Sequence, residues 1–313
     1  MMYVHFITIC VVFSSMLQVI AETKNNYTMF RSRVLAIQRN ARIKTKFNRP
    51  SLGRYQKGKN TTPANAGQLN DQEIPTEDLV LGGNEAIPMQ IPWQVLIYVD
   101  FMWMCGGTLI SEKWVLTAGH CCYGASNFIV DAGGINRLNL NETGENVQTP
   151  SRAIVHPNYN HDTLQNDIAL IFCDVDFVFT KYRNAVLLPK LKEVLQVGDN
   201  VMVSGYGLTS INGSVSPYLM YVTLKVIKNS DCAKVFGASN IFPSMFCTAA
   251  HNTKAICGGD SGEAAVKMGT DKLYRVYGVV SFGAVTCANY PNGYTRVRSY
   301  LRFISNSTNI KVT

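Results

Sequence analysis

Charge is scarce in this chain, and its imbalance sits at one end. Of 313 residues, 16% are Asp, Glu, Lys or Arg. Residues 22–79 hold 11 Lys/Arg against 5 Asp/Glu, whereas residues 80–313 hold 18 against 16. The larger block is nearly neutral, which argues against a nucleic-acid surface on it despite the overall +8. Cysteine is missing from residues 22–79, which excludes a small disulfide-knotted module there. Past residue 21 no apolar run approaches the roughly 20 residues that span a bilayer. No internal repeat is visible, and 24 Gly with 11 Pro is too little for a collagen-like or low-complexity chain.

What is present divides into three stretches. Residues 1–21 are largely apolar from Val4 to Ile20 and end in Val19-Ile20-Ala21; they read as a cleaved signal peptide, with a membrane anchor as the alternative. Export would place eight of the nine cysteines in an oxidising compartment, because Cys10 leaves with the signal. Triplets of the form N-x-S/T at Asn26, Asn60, Asn141, Asn212 and Asn306 fit a secreted, extracellular glycoprotein. Residues 22–79 are basic from Arg31 to Lys59, then polar and acidic with Pro63 and Pro75, and read as a flexible pro-segment.

From Val80 the texture changes to short apolar runs between turn residues. Gln94–Val99, Gly107–Ser111, Lys113–Thr117, Asp167–Cys173, Asn200–Ser204, Leu219–Ile227 and Arg275–Phe282 favour Val, Ile, Tyr and Phe. Many strands at close spacing point to an all-β sandwich or pair of barrels. Only the end looks helical, where Val297, Tyr300, Leu301 and Ile304 make one apolar stripe.

Three local patterns carry chemistry. They are Thr117-Ala118-Gly119-His120-Cys121, Asn166-Asp167-Ile168-Ala169-Leu170 and Gly258-Gly259-Asp260-Ser261-Gly262. Each alone has an ordinary structural reading: a packed histidine, a capping aspartate, a glycine turn. A serine hydroxyl is a poor nucleophile at neutral pH and needs a base within hydrogen-bond reach, so the three together suggest nucleophilic catalysis.

With Val80-Leu81-Gly82-Gly83, Pro92-Trp93-Gln94-Val95, Cys105-Gly106-Gly107-Thr108-Leu109-Ile110 and Pro291-Asn292-Gly293-Tyr294-Thr295-Arg296-Val297, the chain from about Val80 to Phe303 resembles the chymotrypsin-like (trypsin-fold) serine proteases. The resemblance implies an all-β fold of two antiparallel six-stranded barrels with a C-terminal α-helix. It implies a domain over residues 80–313 in which Ser261 is nucleophile, His120 general base and Asp167 the orienting carboxylate. The N–H groups of Gly259 and Ser261 would form an oxyanion hole. Asp260 would receive the ammonium released by cleavage between Leu79 and Val80. Disulfides Cys105–Cys121, Cys232–Cys247 and Cys257–Cys287 are implied, leaving Cys122 and Cys173, which are expected to be unpaired and buried.

The resemblance places Ala255 and Ile256 at the floor of the primary substrate pocket, Gly283 and Asn292 on its walls, and Ser281, Phe282 and Gly283 on the strand that pairs with substrate. The absence of a carboxylate at Ala255 points away from Lys or Arg and towards uncharged P1 residues such as Leu, Phe, Tyr or Met, P1 being the residue before the cut. The implied partners are protein or peptide substrates and protease inhibitors, acting on a monomer. No cofactor, metal, nucleic acid or membrane is implied after signal removal. Glu142 and Glu145 read as a solvated loop, not a calcium site. Glu263 stands where the family continues with glycine, and must be solvated, paired or protonated. The competing readings are a non-catalytic homologue serving as a binding or cofactor protein, and a binding protein whose basic pro-segment is the functional part.

Overall fold

The computed structural model describes residues 83–139, 142–150, 152–207, 215–249, 259–283 and 289–312. The first sheet contains β2 (Gln94–Val99), β3 (Trp103–Leu109), β4 (Trp114–Thr117), β5 (Phe128–Ala132), β6 (Asn146–Gln148), β7 (Arg152–Val155) and β8 (Ala169–Phe172), in the order β6-β5-β2-β3-β4-β8-β7. The second contains β1 (Asn84–Glu85), β9 (Asn200–Gly205), β10 (Met220–Ile227), β11 (Met245–Thr248), β12 (Ala264–Met268), β13 (Tyr274–Phe282) and β14 (Asn292–Arg296), in the order β1-β10-β11-β14-β13-β12-β9. A further β9–β10 pairing closes six of these into a barrel, with β1 appended outside. Among the described residues the first sheet shows no β6–β7 ladder and is a half-barrel, so the expected two-barrel fold appears with one ring closed and one open.

Local chemistry explains the tight joints. Asp100 and Phe101 both take left-handed backbone, φ 46° and 60°, at the centre of the Val99–Met102 turn within the three-residue connection from β2 to β3. The Asp100 carboxylate holds that turn by accepting the N–H groups of Ser126 (3.0 Å) and Asn127 (2.7 Å). In the closed barrel, Phe246 and Tyr294 stack with centroids 4.7 Å apart. Gly278 makes this possible, since a Cβ there would lie 2.5 Å from the Phe246 ring. Each large side chain buried in such a core contributes roughly 1.5–3 kcal/mol.

The described residues form three short α-helices: α1 (Gly119–Cys122), α2 (Asn229–Phe236) and α3 (Leu301–Thr308). The apolar stripe expected at the C-terminus is buried at Val297, Tyr300, Leu301 and Ile304, although its first turn, Val297–Tyr300, is a 3₁₀ helix. His156, just past β7, meets the edges of Tyr300 and Phe303 at 5.2 and 4.9 Å, which docks α3 on the half-barrel. Sequence periodicity missed α2, which buries only Cys232 and is otherwise on the surface.

Candidate active site

Asp167 and His120 are in direct contact at the centre of the site. Asp167 is fully buried. Its Oδ1 accepts the His120 backbone N–H at 2.7 Å, and its Oδ2 lies 2.8 Å from His120 Nδ1. A carboxylate only accepts, so Nδ1 carries the proton and Nε2 is left as the basic nitrogen. Ser281 Oγ also donates to Asp167 Oδ2, at 2.5 Å. Gly119 lets α1 come this close, because a Cβ there would sit 3.1 Å from Asp167 Oδ1. Burial pulls the His120 pKa down, but the charge and hydrogen bond of Asp167 outweigh it and hold the ring above its ordinary value.

The aspartate is itself held from behind. Asn166 takes a left-handed backbone, φ 57°. Its Oδ1 accepts the Tyr300 hydroxyl at 2.9 Å and its Nδ2 donates to Asn158 O at 2.6 Å. Thr295 Oγ1 donates to the Asp167 carbonyl at 2.6 Å. The C-terminal turn and β14 therefore fix a residue more than 120 positions earlier, a role that no local motif announces.

Ser261 sits in the turn leading into β12, and its carbonyl accepts the Gly106 N–H at 2.7 Å. Two glycines shape this turn. Gly259 has φ 99°, and Gly262 has φ 87° with a would-be Cβ 2.4 Å from Gly106 O. The Cys105–Cys121 disulfide ties β3 to α1 beside it, and its sulfurs lie within 4.8 Å of a His120 ring nitrogen. Both Ser261 and His120 are thus anchored to the Cys105–Gly106 stretch. With both sulfurs oxidised, this cluster offers no thiolate to a metal.

Asp260 and Glu263 are buried on either side of that turn. Asp260 Oδ1 accepts the Gly207 N–H at 2.8 Å. Glu263 packs so tightly on Gly106 that a Cβ there would overlap its carboxyl carbon. Its Oε2 accepts Gln94 Nε2 at 2.6 Å, and Gln94 Oε1 in turn accepts Ser204 Oγ at 2.6 Å. Burial, and then the charge of Asp260, push the Glu263 carboxyl well above its ordinary range, against a smaller opposing effect of Gln94. Of the alternatives weighed for Glu263, the structure shows burial and pairing, not solvation.

The wall residues are distributed differently from one another. The Ser281 hydroxyl is turned to Asp167. The Phe282 ring lies on Gly293 and meets Phe236 edge-on at 5.2 Å. Gly283 faces Asn292, whose Oδ1 would be 3.1 Å from a Cβ at that glycine. Ala255, Ile256, Cys257, Cys287, Leu79 and Val80 lie outside the described residues.

Of the remaining cysteines, Cys232–Cys247 is bonded, while Cys122 and Cys173 are free and buried, as expected. Burial raises both thiols, Cys173 to about 12, and the nearby Asp167 charge adds to the effect at Cys122, so neither is a reactive thiolate. Glu142 is not simply solvated: its Oε2 accepts the N–H groups of Ile135 (2.7 Å) and Asn136 (2.8 Å), closing its own loop.

Comparison with known proteins agrees with this architecture. The family model described as Trypsin matches residues 80–304. Brachyurin of Leptuca pugilator is 36% identical over 234 residues, covering 74% of this chain and 99% of the relative. Trypsin-1 of Astacus astacus is 32% identical, covering 72% and 98%, and chymotrypsin of Phaedon cochleariae 30%, covering 75% and 84%. A solved collagenase structure superposes with a TM-score of 0.65 at 32% identity, covering 73% of this chain and 98% of that one. The chain belongs to the trypsin family and is a serine-type endopeptidase.

Proposed function

We propose that the protein is a secreted endopeptidase, made as a zymogen, that cuts peptide bonds after uncharged residues by a Ser261–His120–Asp167 triad. The observation that carries this reading is the Asp167 carboxylate, which grips His120 by both its backbone N–H and Nδ1 and so leaves Nε2 as base. In the reaction, Nε2 takes the Ser261 proton as Oγ attacks the scissile carbonyl. The tetrahedral oxyanion accepts hydrogen bonds from the N–H groups of Gly259 and Ser261. The imidazolium, offset by Asp167, gives its proton to the leaving amine. Water then repeats the cycle on the acyl-enzyme, with Nε2 again as base.

Asp260 is the receiver for the Val80 ammonium in this reading, and its burial beside Ser261 supports that role. The zymogen switch is an ordering of the Gly259–Ser261 turn by one buried ion pair. Substrates are proteins or peptides, and the collagenase neighbour makes collagen a sensible macromolecule to assay.

The test is Ser261→Ala in the processed protein, assayed on chromogenic amides and with a serine-reactive phosphonate. Wild type should turn over and take the label, and the variant should lose at least about a thousandfold of kcat while folding normally. Equal turnover would overturn the assignment of Ser261 as nucleophile, and a wild type that neither cleaves nor labels would replace the proposal with the binding-protein reading.

A further inference from the structure

The proposed triad makes no use of Glu263, yet the backbone that carries Ser261 is built around this residue. Gly106 N–H donates to the Ser261 carbonyl at 2.7 Å, and the Gly106 carbonyl accepts Thr117 Oγ1 at 2.8 Å. The Glu263 carboxyl lies against the same glycine, where any Cβ would collide with it. Both backbone groups of Glu263 are tied: its N–H donates to Asp260 O at 3.1 Å and its carbonyl accepts Val280 N–H at 2.8 Å. Its side chain reaches across to β2, where Gln94 Nε2 donates to Oε2, and Gln94 is bound in turn to Ser204 of β9. One carboxyl therefore fills the seam between Gly106, Gln94 and the turn that holds Ser261.

The surroundings suit a neutral acid and oppose an ion. Gly106 of β3, Gln94 of β2, and Ser204 and Gly205 of β9 are uncharged. The titratable groups whose charges reach Glu263 are Asp260 on the same turn and Tyr206 just past β9, whose hydroxyl donates to Gly134 O at 3.0 Å. In processed enzyme the proposed Val80 ammonium would offset Asp260. Among the described residues Glu263 has no cationic partner, and its Oε1 is buried without a hydrogen bond. A carboxylate there would hold a single side-chain donor, and would gain by drawing in water or moving out. Either motion unseats Gly106, and with it the bond to the Ser261 carbonyl.

We propose that Glu263 is a positioning residue: as a neutral acid it wedges Gly106 against the reactive turn and holds Ser261 in place, and its ionisation releases the turn and lowers kcat. This deepens the proposed triad reading and rests on it. Glu263 acts through Gly106 and the turn backbone, not on the substrate.

The experiment uses processed full-length enzyme, with the active fraction first counted at neutral pH by the serine-reactive phosphonate. Absence of label marks a failure of the triad reading before Glu263 is tested. Then kcat and KM on a chromogenic amide are measured across the alkaline range, with folding followed by circular dichroism at each pH. Wild-type kcat should fall about tenfold per pH unit once Glu263 ionises, with KM little changed and the protein still folded. Glu263→Gln keeps the wedge without a proton to lose, so its kcat should hold where that of wild type has fallen tenfold. Glu263→Gly removes the side chain altogether. It should also lack this limb, with a plateau kcat about tenfold below that of the Gln variant. A decline shared by all three proteins belongs to another group, such as the Val80 ammonium, and superimposable profiles overturn the inference. Equal plateaus for the Gln and Gly variants overturn the wedge. A wild-type kcat that stays level throughout the range in which the protein is folded overturns the inference without any variant.

Discussion

Gln94 Nε2 donates to Glu263 Oε2 at 2.6 Å across the seam between the half-barrel and the closed barrel. Gln94 opens β2 and Glu263 lies two residues after Ser261, so one contact joins the two sheets directly beneath the reactive turn. The remaining carboxyl oxygen, Oε1, is buried without a partner among the described residues, which suits a neutral acid better than an ion.

Glu263 therefore makes stability depend on pH in a defined direction. Its folded pKa is raised, so its contribution is complete below the unfolded value of 4.5 and is lost as pH rises through the folded value. The loss runs at about 1.4 kcal/mol per pH unit while only the unfolded state is ionised. Glu263→Gln should flatten the decline in melting temperature as pH rises above the unfolded value of 4.5. Glu263→Ala, which leaves Gln94 and a cavity behind, should cost about 2–3 kcal/mol. A Gln variant whose melting curve tracks wild type at every pH would show that Glu263 is not held neutral.

The acid limb of activity should report on His120. Asp167 raises the His120 pKa, and the base must be neutral, so activity falls as pH drops through that raised value. Asp167→Asn removes the raising effects and leaves burial, which lowers the pKa. The limb should move to lower pH while kcat falls by about four orders of magnitude. A pH–rate profile of the two proteins checks both, and a limb that stays in place contradicts the assignment.

Tyr300 should act at a distance through Asn166. Tyr300→Phe removes the 2.9 Å bond that fixes the left-handed residue before Asp167. About 1 kcal/mol of stability should be lost, with kcat reduced more than KM is changed. Unchanged kcat with full loss of stability would confine Tyr300 to docking α3.

Processing should expose Val80. With the proposed cut between Leu79 and Val80, the activating enzyme would accept leucine, and self-cleavage would fit the proposed uncharged P1 preference. N-terminal sequencing of active material from wild type and from Ser261→Ala precursor checks this. A mature terminus elsewhere rejects the site, and Val80 appearing in the variant without added protease rejects self-cleavage.

Fully processed enzyme should prefer uncharged P1 residues to Arg or Lys, because Ala255, the proposed pocket floor, offers no carboxylate. Truncating a charged pair is worth 2 kcal/mol or more, roughly thirtyfold. A peptide-library profile led by P1 Arg would contradict it.

The strands and the proposed reacting groups were legible along the chain because they are local. Gln94–Val99 is the strand β2 residue for residue, and the runs around Ala169–Phe172 and Tyr274–Phe282 differ from expectation only at their ends. Alternation and turn residues encode such segments within a few positions. The histidine, aspartate and serine stood out because their flanking glycines and cysteines form short patterns. The missed elements had weaker local signals: α2 buries one residue, and β14 contains a glycine and an asparagine.

Everything that decides the environment of those groups is long-range. Ser281 and Tyr300 support Asp167 and its neighbour from 114 and 134 residues away, and Gln94 meets Glu263 across 169. A linear sequence names these side chains but not their partners. Whether a glutamate is solvated or neutral, or an amide satisfied or left open, depends on which other surfaces close around it. That closure exists only once the two sheets have packed, because hydrogen-bond satisfaction and desolvation are properties of the assembled interior.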